Sequence, residues 1–333
     1  MRGSFSQVKV KSKQDCQSEE RILDSAETLL IPTAPPEYKS GFAGLIGRPN
    51  VGKSTLMNQM VGQKIAITSP VAQTTRNRLR GILTTPQAQV IFVDTPGIHK
   101  PHHQLGKILV QNAKVAIDSV DVLLFVTDGS VEAGGGDRYI AELLQNSQIP
   151  VILGINKIDL RSPDASEDID NSYAALAETA GWEIAKFSAL TGEGLDRVQS
   201  LLVDRLEVGP YYYPPDLVTD QPERFIMGEL IREQVLLMTR QEVPHSVAVA
   251  IDRVEESDKI TRVFATINVE RPSQKAIIIG KRGSMLKQIG TAAREQMQKL
   301  IEGKIYLQLF VRVQPKWRQS RIRLEELGYR VEE

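Results

Sequence analysis

The sequence feature that most constrains the fold is the stretch Gly47–Ser54, GRPNVGKS, which matches the pattern GxxxxGK[S/T]. Residues 42–46 before it form a short apolar run typical of a buried strand, and residues 55–60 after it have the pattern of a first helical turn. In this context, glycines let backbone N–H groups surround a phosphate at the positive end of a helix. Lys53 is placed to reach the β- and γ-phosphates, and the Ser54 hydroxyl to ligate Mg²⁺. The stretch therefore predicts a nucleoside triphosphate site.

Short apolar runs alternate with helical stretches from residue 41 to residue 208. This alternation predicts a doubly wound α/β sheet of the P-loop NTPase class, in which ligands bind at the carboxyl ends of the strands. The predicted strands are rich in β-branched residues and lie at 42–46, 90–94, 121–128, 151–156 and, more weakly, 183–189. The predicted helices lie at 105–117, 137–145, 173–180 and 195–206.

A different pattern follows the stretch 209–216, whose prolines prevent regular structure. After it we predict a small α+β domain. Its expected helices lie at 225–240, 284–301 and 318–327, and its expected strands at 245–252, 262–270, 276–279 and 306–313. We interpret the tyrosines at 211–213 as anchoring the linker to a domain surface, in preference to a stacking platform for bases.

The charges of the chain are unevenly distributed, although the formal net charge is zero. Residues 41–221 carry a net charge of −5 and residues 222–333 a net charge of +5, so we expect the C-terminal part to meet a polyanion. The single cysteine, Cys16, excludes an intramolecular disulfide and suits a reducing compartment. No apolar run approaches the ~20 residues of a membrane helix, and the N-terminus lacks the apolar core of a signal peptide. A cytoplasmic location is therefore expected.

The motif Asp94–Thr95–Pro96–Gly97 ends the predicted strand 90–94. A carboxylate at Asp94 can hold Mg²⁺ through water, and the Gly97 N–H can bond a γ-phosphate and release it after hydrolysis. The polar segment 66–76, between the phosphate loop and this motif, is expected to be mobile. A threonine in it would complete the Mg²⁺ ligands in the triphosphate state. Thr75 is the preferred candidate and Thr74 the alternative.

The motif Asn156–Lys157–Ile158–Asp159 ends the predicted strand 151–156. Asp159 can accept hydrogen bonds from the N1–H and N2–H₂ groups of guanine, which adenine lacks. We expect Asn156 to contact the other edge of the base and the Lys157 stem to cover its face. Backbone N–H groups of Ser188–Ala189 are expected to face O6. Following the two earlier motifs in this order, the pattern predicts guanine over adenine.

The loop Gly280–Lys281–Arg282–Gly283 is predicted to clamp an RNA backbone, because its glycines allow close approach and its cations meet phosphates. Residues 271–294 contain six basic residues and no acidic one. We expect an apolar strand before the loop and a helix after it, and expect Ile277–Ile279 to be partly core and partly base-contact groove.

Two further clusters leave alternatives open. Lys316, Trp317, Arg318, Arg321 and Arg323 form either a second basic patch or a solvated helix face. His99, His102 and His103 are interpreted as part of a mobile switch loop, in preference to a metal site, because no pair has a strong zinc spacing.

These motifs together resemble a known family. The stretches GRPNVGKSTL, QTTR, DTPGIHKP, NKID, SAL, YYYPPD, GELIREQ and IIGKRGSMLK span about residues 42–320 and are similar to those of the Era family of bacterial ribosome-assembly GTPases, which have a TrmE–Era–EngA-type G domain. The resemblance implies a GTP-binding G domain at 41–208, a linker at 209–221 and a type II KH domain with a C-terminal helix at 222–333. Residues 1–40 are expected to be a disordered extension, to which we assign no function.

The resemblance also implies an activity and a partner. The expected activity is hydrolysis of GTP to GDP with Mg²⁺, and the expected partner is the 3′ end of 16S rRNA during 30S subunit assembly. We expect a monomer and leave a peripheral contact with the inner membrane open.

The site residues carried by these motifs fall into four groups. Nucleotide binding is assigned to Gly47, Arg48, Pro49, Asn50, Val51, Gly52, Lys53, Ser54, Asp94, Thr95, Pro96, Gly97, Ile98, Asn156, Lys157, Ile158, Asp159, Ser188 and Ala189. Catalysis is assigned to Lys53, Thr75 and Gly97, and the Mg²⁺ site to Ser54, Thr75 and Asp94. RNA binding is assigned to Ile279, Gly280, Lys281, Arg282, Gly283 and Lys287.

One departure from Ras-like switches lies next to the second motif. Ile98 stands where a glutamine would orient the attacking water, and isoleucine cannot do so. GTPases similar to Era share this substitution, and several use K⁺ bound through an asparagine placed like Asn50. Three other functions stay open: a tRNA-modification GTPase, an RNA-binding protein with a structural nucleotide, and an ATP-using helicase.

Overall fold

The computed structural model describes residues 31–69, 75–76, 78–98, 105, 108, 111, 119–145, 147–162, 166–240, 243–257, 259–301, 303–327 and 329. Most of the predicted N-terminal extension, with Cys16, lies outside these residues, as do Thr74 and the histidines at 99, 102 and 103. The end of the predicted disordered extension is wrong, because Tyr38 is buried and Lys39 and Ser40 begin the first strand. The described residues form two sheets, each with its own helices. None of the described helices is long and apolar enough to cross a membrane.

The first sheet has six strands in the described chain, in the order β2-β3-β1-β4-β5-β6. Its pairs are parallel except β2–β3, which is antiparallel. The strands are β1 Lys39–Ile46, β2 Leu79–Thr84, β3 Ala88–Asp94, β4 Val122–Asp128, β5 Val151–Asn156 and β6 Glu183–Lys186. All residues of β3 and β5 are buried, as expected for inner strands covered on both faces. The doubly wound prediction is therefore confirmed, with one antiparallel edge strand that it lacked.

Helices cover both faces of this sheet. They are α1 Lys53–Val61, α2 Gly135–Gln145, α3 Ser166–Ala180 and α4 Leu195–Arg205. One apolar core forms around Leu45 and Phe92, and a second, on the opposite face, around Ile46 and Phe125. Neighbouring residues Leu45 and Ile46 thus face different cores, as alternation along a strand requires. Of the helix predicted at 105–117, residues 105, 108 and 111 are described and are helical.

The second unit follows the order helix–strand–strand–helix–helix–strand. Its elements are α5 Glu223–Met238, β7 Ala248–Glu255, β8 Ile260–Val269, α6 Pro272–Ile279, α7 Ser284–Met297, β9 Lys304–Val313 and a terminal α8 Arg321–Glu326. In its three-stranded sheet β7 pairs with β8 antiparallel and β8 with β9 parallel. The three helices α5, α6 and α7 share one core with the inner face of this sheet. The α+β prediction is therefore confirmed.

The strand predicted at 276–279 is wrong, because these residues end helix α6. Pro272 stands in its first turn, and the Gln274 side-chain oxygen accepts hydrogen bonds from the N–H groups of Glu270 and Arg271, both at 2.9 Å. Three successive isoleucines favour a strand by propensity. Two observations favour the helix instead. Its first turn is capped, and of the three isoleucines only Ile278 is buried, as expected when a 3.6-residue period brings one of them to the core.

The linker lies against the first sheet. The Tyr211 ring lies 4.5 Å from that of Tyr38, and the Tyr212 ring 5.2 Å from that of Phe42. The Gln89 side-chain oxygen accepts from the N–H groups of Tyr212 and Tyr213 at 2.8 and 3.0 Å. The predicted anchoring role of the tyrosines is therefore confirmed.

Candidate functional site

The phosphate loop runs from the end of β1 to the start of α1 and is shaped by left-handed backbone. Gly52 has a φ of 101° and Asn50 a φ of 64°. A Cβ on Gly52 would lie 2.3 Å from the Asn156 side-chain nitrogen, and one on Gly47 would lie 2.3 Å from the Val126 carbonyl oxygen. Glycine at both positions therefore lets the loop pack closely against the ends of β4 and β5.

Lys53 folds back into the loop. Its ammonium donates to the carbonyl oxygens of Gly47 at 3.2 Å and Arg48 at 3.1 Å. Burial lowers the pKa of Lys53 to about 8, with the Asp94 carboxylate acting in the opposite direction. A buried cation held by two carbonyls is ready to meet an anion brought into the loop.

Three oxygen-bearing side chains converge beside Lys53. The hydroxyls of Ser54 and Thr75 lie 2.6 and 3.0 Å from the same Asp94 oxygen and 2.9 Å from each other. The other Asp94 oxygen is buried and has no hydrogen-bond partner among the described residues. Burial raises the pKa of Asp94, against the lowering effects of Lys53 and of the two hydroxyls. A hard divalent cation such as Mg²⁺ fits this oxygen set.

No cluster of three or more His, Cys, Asp or Glu side chains suited to a metal occurs in the described part of the chain. The candidate Mg²⁺ site therefore depends on hydroxyls as well as on its single carboxylate. This is the kind of site in which phosphate oxygens supply further ligands.

The Asp94–Gly97 motif lies against the phosphate loop. A Cβ on Gly97 would come within 2.6 Å of the Pro49 nitrogen, so only glycine fits this approach. The Ile98 N–H donates to the Gly47 carbonyl oxygen at 3.2 Å, and the Ile98 side chain is buried in the core around Ile46. Ile98 is therefore a packing residue, and its side chain is turned away from the loop.

A cavity of about 150 Å³ opens between these groups. It brings together residues from the phosphate loop, the segment before Thr75, the Gly97 turn and the Asn156 motif. Its lining residues are Pro49, Asn50, Gly52, Lys53, Ser54, Thr55, Ile67, Thr68, Ser69, Thr75, Gly97 and Lys157.

Asn156 connects the phosphate loop with the Ser188–Ala189 turn. Its amide nitrogen donates to the Val51 carbonyl oxygen at 2.8 Å, and its oxygen accepts from the Ala189 N–H at 2.8 Å. The Ser188 N–H donates to the Glu193 carbonyl oxygen at 2.9 Å. The Ser188 and Ala189 N–H groups, which were expected to face a base, therefore donate to protein oxygens in this structure. Asn156 itself hydrogen-bonds to both loops and holds them together.

Lys157 lines the same cavity, and Asp159 lies two residues further along the chain. Lys157 adopts a left-handed φ of 65°, and its ammonium donates to Asp128 at 2.6 Å. Burial is the largest single effect and would raise the pKa of Asp128, but the hydrogen bonds from Lys157 and Ser130 and the Lys157 charge together outweigh it and lower the pKa. The Asp159 side chain is exposed. Sequence reasoning missed Asp128, although its place at the carboxyl end of a parallel strand is the signal that could have found it.

A second groove lies in the α+β unit, between α7 and β9, with a volume of about 390 Å³. The loop that opens it has left-handed residues at Arg282, with a φ of 54°, and Gly283, with a φ of 81°. Of the predicted RNA-binding residues, Gly283 and Lys287 line this groove, while Ile279 ends α6 and 280–282 form the loop at the end of the groove. The other lining residues, which the sequence missed, are Leu286, Gly290, Thr291, Arg294, Leu307, Gln308 and Leu309.

In the second cluster Trp317 is buried and each of the three arginines pairs with a carboxylate, while Lys316 is exposed, so the solvated helix face is favoured over a basic patch. Trp317 is fully buried and donates its indole N–H to the Ser246 carbonyl oxygen at 3.0 Å. Arg318 pairs with Glu270, Arg321 with Glu325 and Arg323 with Glu326. The last two pairs are spaced four and three residues apart on one helix face, so they neutralise each other locally.

Arg76 joins the two units. Its guanidinium is buried and donates to the Val247 carbonyl oxygen at 2.6 Å. It also lies 5.8 Å from the centre of the Trp317 ring and 5.7 Å from that of Tyr329. Thr75, the neighbouring residue, contacts the candidate Mg²⁺ site. One dipeptide therefore contacts both units.

Comparisons with known proteins agree with this architecture. The family described as "50S ribosome-binding GTPase" matches residues 42–157, and the KH domain family matches residues 242–318. The chain is 75% identical over 303 residues to the GTPase Era of Nostoc sp., covering 91% of this chain and 93% of that one. It is 72% identical over 302 residues to the GTPase Era of Rippkaea orientalis, covering 91% and 96%.

Two solved structures are also similar. An Era protein in complex with MgGDPNP and nucleotides 1506–1542 of 16S ribosomal RNA has a TM-score of 0.83 at 37% identity, covering 88% of this chain and 99% of that one. A variant of Aquifex aeolicus Era bound to GDP and AlF₄⁻ has a TM-score of 0.82 at 37% identity, covering 87% and 99%.

Proposed function

This chain belongs to the Era family of GTPases, and from that premise we propose that it hydrolyses GTP as a conformational switch and binds the 3′ end of 16S rRNA in 30S subunit assembly. One observation carries the proposal. Ser54, Thr75 and Asp94 converge beside the phosphate loop, while the residue after Thr75 is buried in the KH unit. This geometry suits a switch that an RNA-binding domain can read.

In the nucleotide site, the backbone N–H groups of 47–54 and the Lys53 ammonium bind the phosphates. Ser54, Thr75 and Asp94 would hold Mg²⁺, which would neutralise charge on the phosphate oxygens. The Gly97 N–H binds the γ-phosphate, and its closeness to Pro49 supports this role. Loss of that phosphate releases both Thr75 and Gly97.

Guanine specificity is assigned to Asp159, whose exposed carboxylate accepts from N1–H and N2–H₂ of the base. Lys157 covers the base face with its stem while Asp128 holds its ammonium. Asn156 keeps the phosphate loop and the Ser188–Ala189 turn at a fixed separation. A base oxygen that accepts from the Ala189 N–H would have to share that donor with Asn156.

The buried Ile98 supplies no group to orient water, so another charge must assist hydrolysis. We assign that role to K⁺ held through Asn50, whose left-handed backbone places it at the cavity. Replacing K⁺ by Na⁺ at constant ionic strength is expected to slow turnover. Equal rates in the two salts would exclude this assignment.

RNA binding is assigned to the groove between α7 and β9. The glycines of 280–283 allow the RNA backbone to approach, and Lys281, Arg282, Lys287 and Arg294 supply positive charge. The left-handed Arg282 is a strained conformation of the kind held at functional loops.

The nucleotide state reaches the KH unit through Arg76. A route through the linker is disfavoured, because the linker tyrosines are fixed to the first sheet. Arg76 instead makes direct contact with Val247, Trp317 and Tyr329. A movement of Thr75 therefore displaces a side chain that the KH unit holds.

The proposal includes the domain limits 41–208, extended to Lys39 by strand β1, 209–221 and 222–333, a monomeric state and a cytoplasmic location. A peripheral membrane contact is not part of it, because no observation among the described residues supports one. A tRNA-modification GTPase would need a further catalytic domain or cysteine, and the one cysteine of this chain lies at residue 16.

The experiment is binding of a labelled RNA that copies the 3′ end of small-subunit rRNA, with protein loaded with GDP or with a non-hydrolysable GTP analogue. We expect different affinities in the two states and loss of binding in Gly283→Asp. Parallel turnover assays with GTP and ATP separate a GTPase from an RNA-binding protein with a structural nucleotide and from a helicase. Absence of RNA binding would leave the GTPase assignment alone.

A further inference from the structure

The outer face of the KH sheet carries exposed aromatic side chains. Residues of β8 and β9 alternate between the helix-covered core and this opposite face. Tyr306 and Phe310, both on β9, are 46% and 50% exposed, although large aromatics usually bury their rings. Four residues of strand separate them by about 13 Å. Two rings of this size left in solvent on one strand indicate a binding surface.

Positive charge accompanies these rings. Neither β8 nor β9 contains an aspartate or glutamate. Arg262 lies directly across from Tyr306 in the register of the two strands, and Arg312 lies two residues beyond Phe310 on the same face; both are exposed. The acidic residues on this face, Asp252 and Glu255, belong to β7.

The β7 carboxylates already have partners on the same sheet. Asp252 accepts a hydrogen bond from the Thr266 hydroxyl at 2.7 Å, and Glu255 pairs with Arg253 at 3.1 Å. Arg253 in turn covers the Phe264 ring, 4.5 Å from its centre. The β9 side of the face therefore combines open rings with cations.

This face is continuous with the groove described above. Leu307 and Leu309 on β9 line the groove between α7 and β9, and Tyr306 and Phe310 alternate with them on the other side of the strand. A KH loop clamps about four nucleotides, so a longer single strand that leaves the groove passes over the β9 edge.

We propose that Tyr306 and Phe310, flanked by Arg262 and Arg312, form a second single-stranded RNA surface on which bases stack after leaving the KH groove. Exposed aromatics on the open face of a sheet bind bases in this way, because every base has a π-face, and nearby arginines meet the backbone phosphates. The inference rests on the proposed RNA-binding function and adds a surface outside the groove.

The test compares two labelled RNAs from the 3′ end of small-subunit rRNA, one of about four nucleotides, the length that a KH loop clamps, and one about three times as long. Tyr306→Ala and Phe310→Ala are each expected to weaken binding of the long RNA about five- to a hundredfold. Binding of the short RNA is expected to stay within about twofold of the parent. Tyr139→Ala removes a ring with the same 46% exposure from α2 and is expected to change neither affinity.

Two further variants distinguish stacking from loss of structure. Phe310→Tyr keeps an aromatic ring and is expected to retain binding, whereas Phe310→Leu keeps apolar surface and is expected to lose it. For the charges, Arg312→Ala is expected to lower the slope of log affinity against log salt for the long RNA by about 0.7. Arg138→Ala, which removes an exposed arginine from α2, is expected to leave that slope unchanged.

Each other outcome overturns the proposal. Equal losses for both RNAs would mean that the β9 variants disturb the groove itself. If the Tyr306 and Phe310 variants bound both RNAs with unchanged affinity, these side chains would serve another partner, such as a protein. If the parent protein bound neither RNA, the proposed function would fail as well, whereas groove binding without length dependence would refute the second surface alone.

Discussion

Removal of the Arg76 side chain tests whether the KH unit reads the nucleotide state through a direct contact. In Arg76→Ala, the KH unit loses a charged donor to the Val247 carbonyl oxygen and two cation–π contacts, with Trp317 and Tyr329. We expect the dependence of RNA affinity on the nucleotide to disappear while GTP still binds. The Thr75 hydroxyl, on the adjacent residue, is not altered by this change.

The size of the effect follows from the contacts. A hydrogen bond from a charged group contributes roughly 1.5–3 kcal/mol, and a desolvated cation–π contact contributes about 2 kcal/mol. Burial of the guanidinium opposes these terms, as its lowered pKa indicates. The positive charge of the nearby Arg232 also reduces the stabilisation gained from these Arg76 contacts, although Arg232 pairs with Glu229 at 2.6 Å. A net loss of about 2–4 kcal/mol in the contact between the two units is the reasonable expectation.

The assay is fluorescence anisotropy of a labelled rRNA 3′-end oligonucleotide with protein in the GDP and GTP-analogue states. The ratio of the two affinities is expected to fall to within about twofold of one in Arg76→Ala, with GTP affinity within about threefold of the parent. Arg205→Ala is the matched control, because it removes a partly buried arginine paired with Glu183 away from the KH unit. It is expected to keep the parent ratio.

Two results would refute the reasoning. If Arg76→Ala lowered the melting temperature but kept the affinity ratio, the contact would be structural and the signal would travel elsewhere. If GTP affinity collapsed, Arg76 would belong to the nucleotide site and not to the junction. Trp317→Phe, which alters the contact from the KH side, is expected to reproduce the loss of the ratio without any change near the phosphate loop.

Three further predictions concern single sites. Gly280→Ala is expected to lower the free energy of unfolding, measured by thermal unfolding, by about 2–3 kcal/mol, because the new Cβ would lie 2.7 Å from the Cβ of Met285. Gly283→Ala is the control: its Cβ would meet no atom within 4 Å, so it is expected to lower the free energy of unfolding by only about 1 kcal/mol. Asp159→Asn is expected to weaken GTP binding more than tenfold and to favour xanthosine triphosphate, because the amide can donate to the C2 oxygen of xanthine; retained GTP preference in competition assays would exclude Asp159 from base recognition. Lys53, with its pKa lowered to about 8 in the free site, loses its charge as pH rises through that value, while bound phosphates favour the charged form. GTP affinity should therefore fall by up to about tenfold per unit above pH 8, with proton uptake visible in calorimetry in buffers of different ionisation heat; pH-independent affinity between 7.5 and 9 would contradict it.

The structure brings the predicted nucleotide-site motifs together because each motif is short and continuous in the chain. Gly47–Ser54 and Asp94–Gly97 each follow directly from the end of a predicted strand, so the fold brings them to one edge of the sheet. Thr75 needed a different argument, from the order of motifs, and the structure places its hydroxyl 2.9 Å from that of Ser54. These positions depend on strand ends, which apolar periodicity indicates.

The parts that sequence reasoning missed depend on long-range packing. Strand β2 pairs antiparallel at the sheet edge, and its short pattern LRGILT does not separate it from a loop. The isoleucines at 277–279 favour a strand locally, yet packing against the KH core makes them helical. The sequence around Arg76 gives no sign that this residue is buried, because the partners that bury it lie more than 160 residues away in the chain.

The spacing of Thr75 and Arg76 sets a limit on how strongly the two sites can be coupled. The Thr75 side chain bonds to the nucleotide site and the next side chain, Arg76, bonds to the KH unit. A displacement of Thr75 is therefore passed directly to Arg76. A ligand shifts an equilibrium by no more than its difference in affinity for the two states. With about 2–4 kcal/mol in the Arg76 contact, RNA affinity can differ between nucleotide states by at most roughly 30- to 1000-fold.

A larger ratio would require a second connection, and the described residues include a candidate. Glu233 on α5 is buried and accepts from the Lys64 ammonium at 2.6 Å and from the Thr68 N–H at 2.8 Å. Thr68 lines the nucleotide cavity, so this carboxylate also contacts both units. If the measured ratio of RNA affinities exceeds that limit, Glu233→Gln is expected to reduce the ratio, and Arg76→Ala is expected to leave it above one. If Arg76→Ala alone brings the ratio to one, the Glu233 contact only holds the units together.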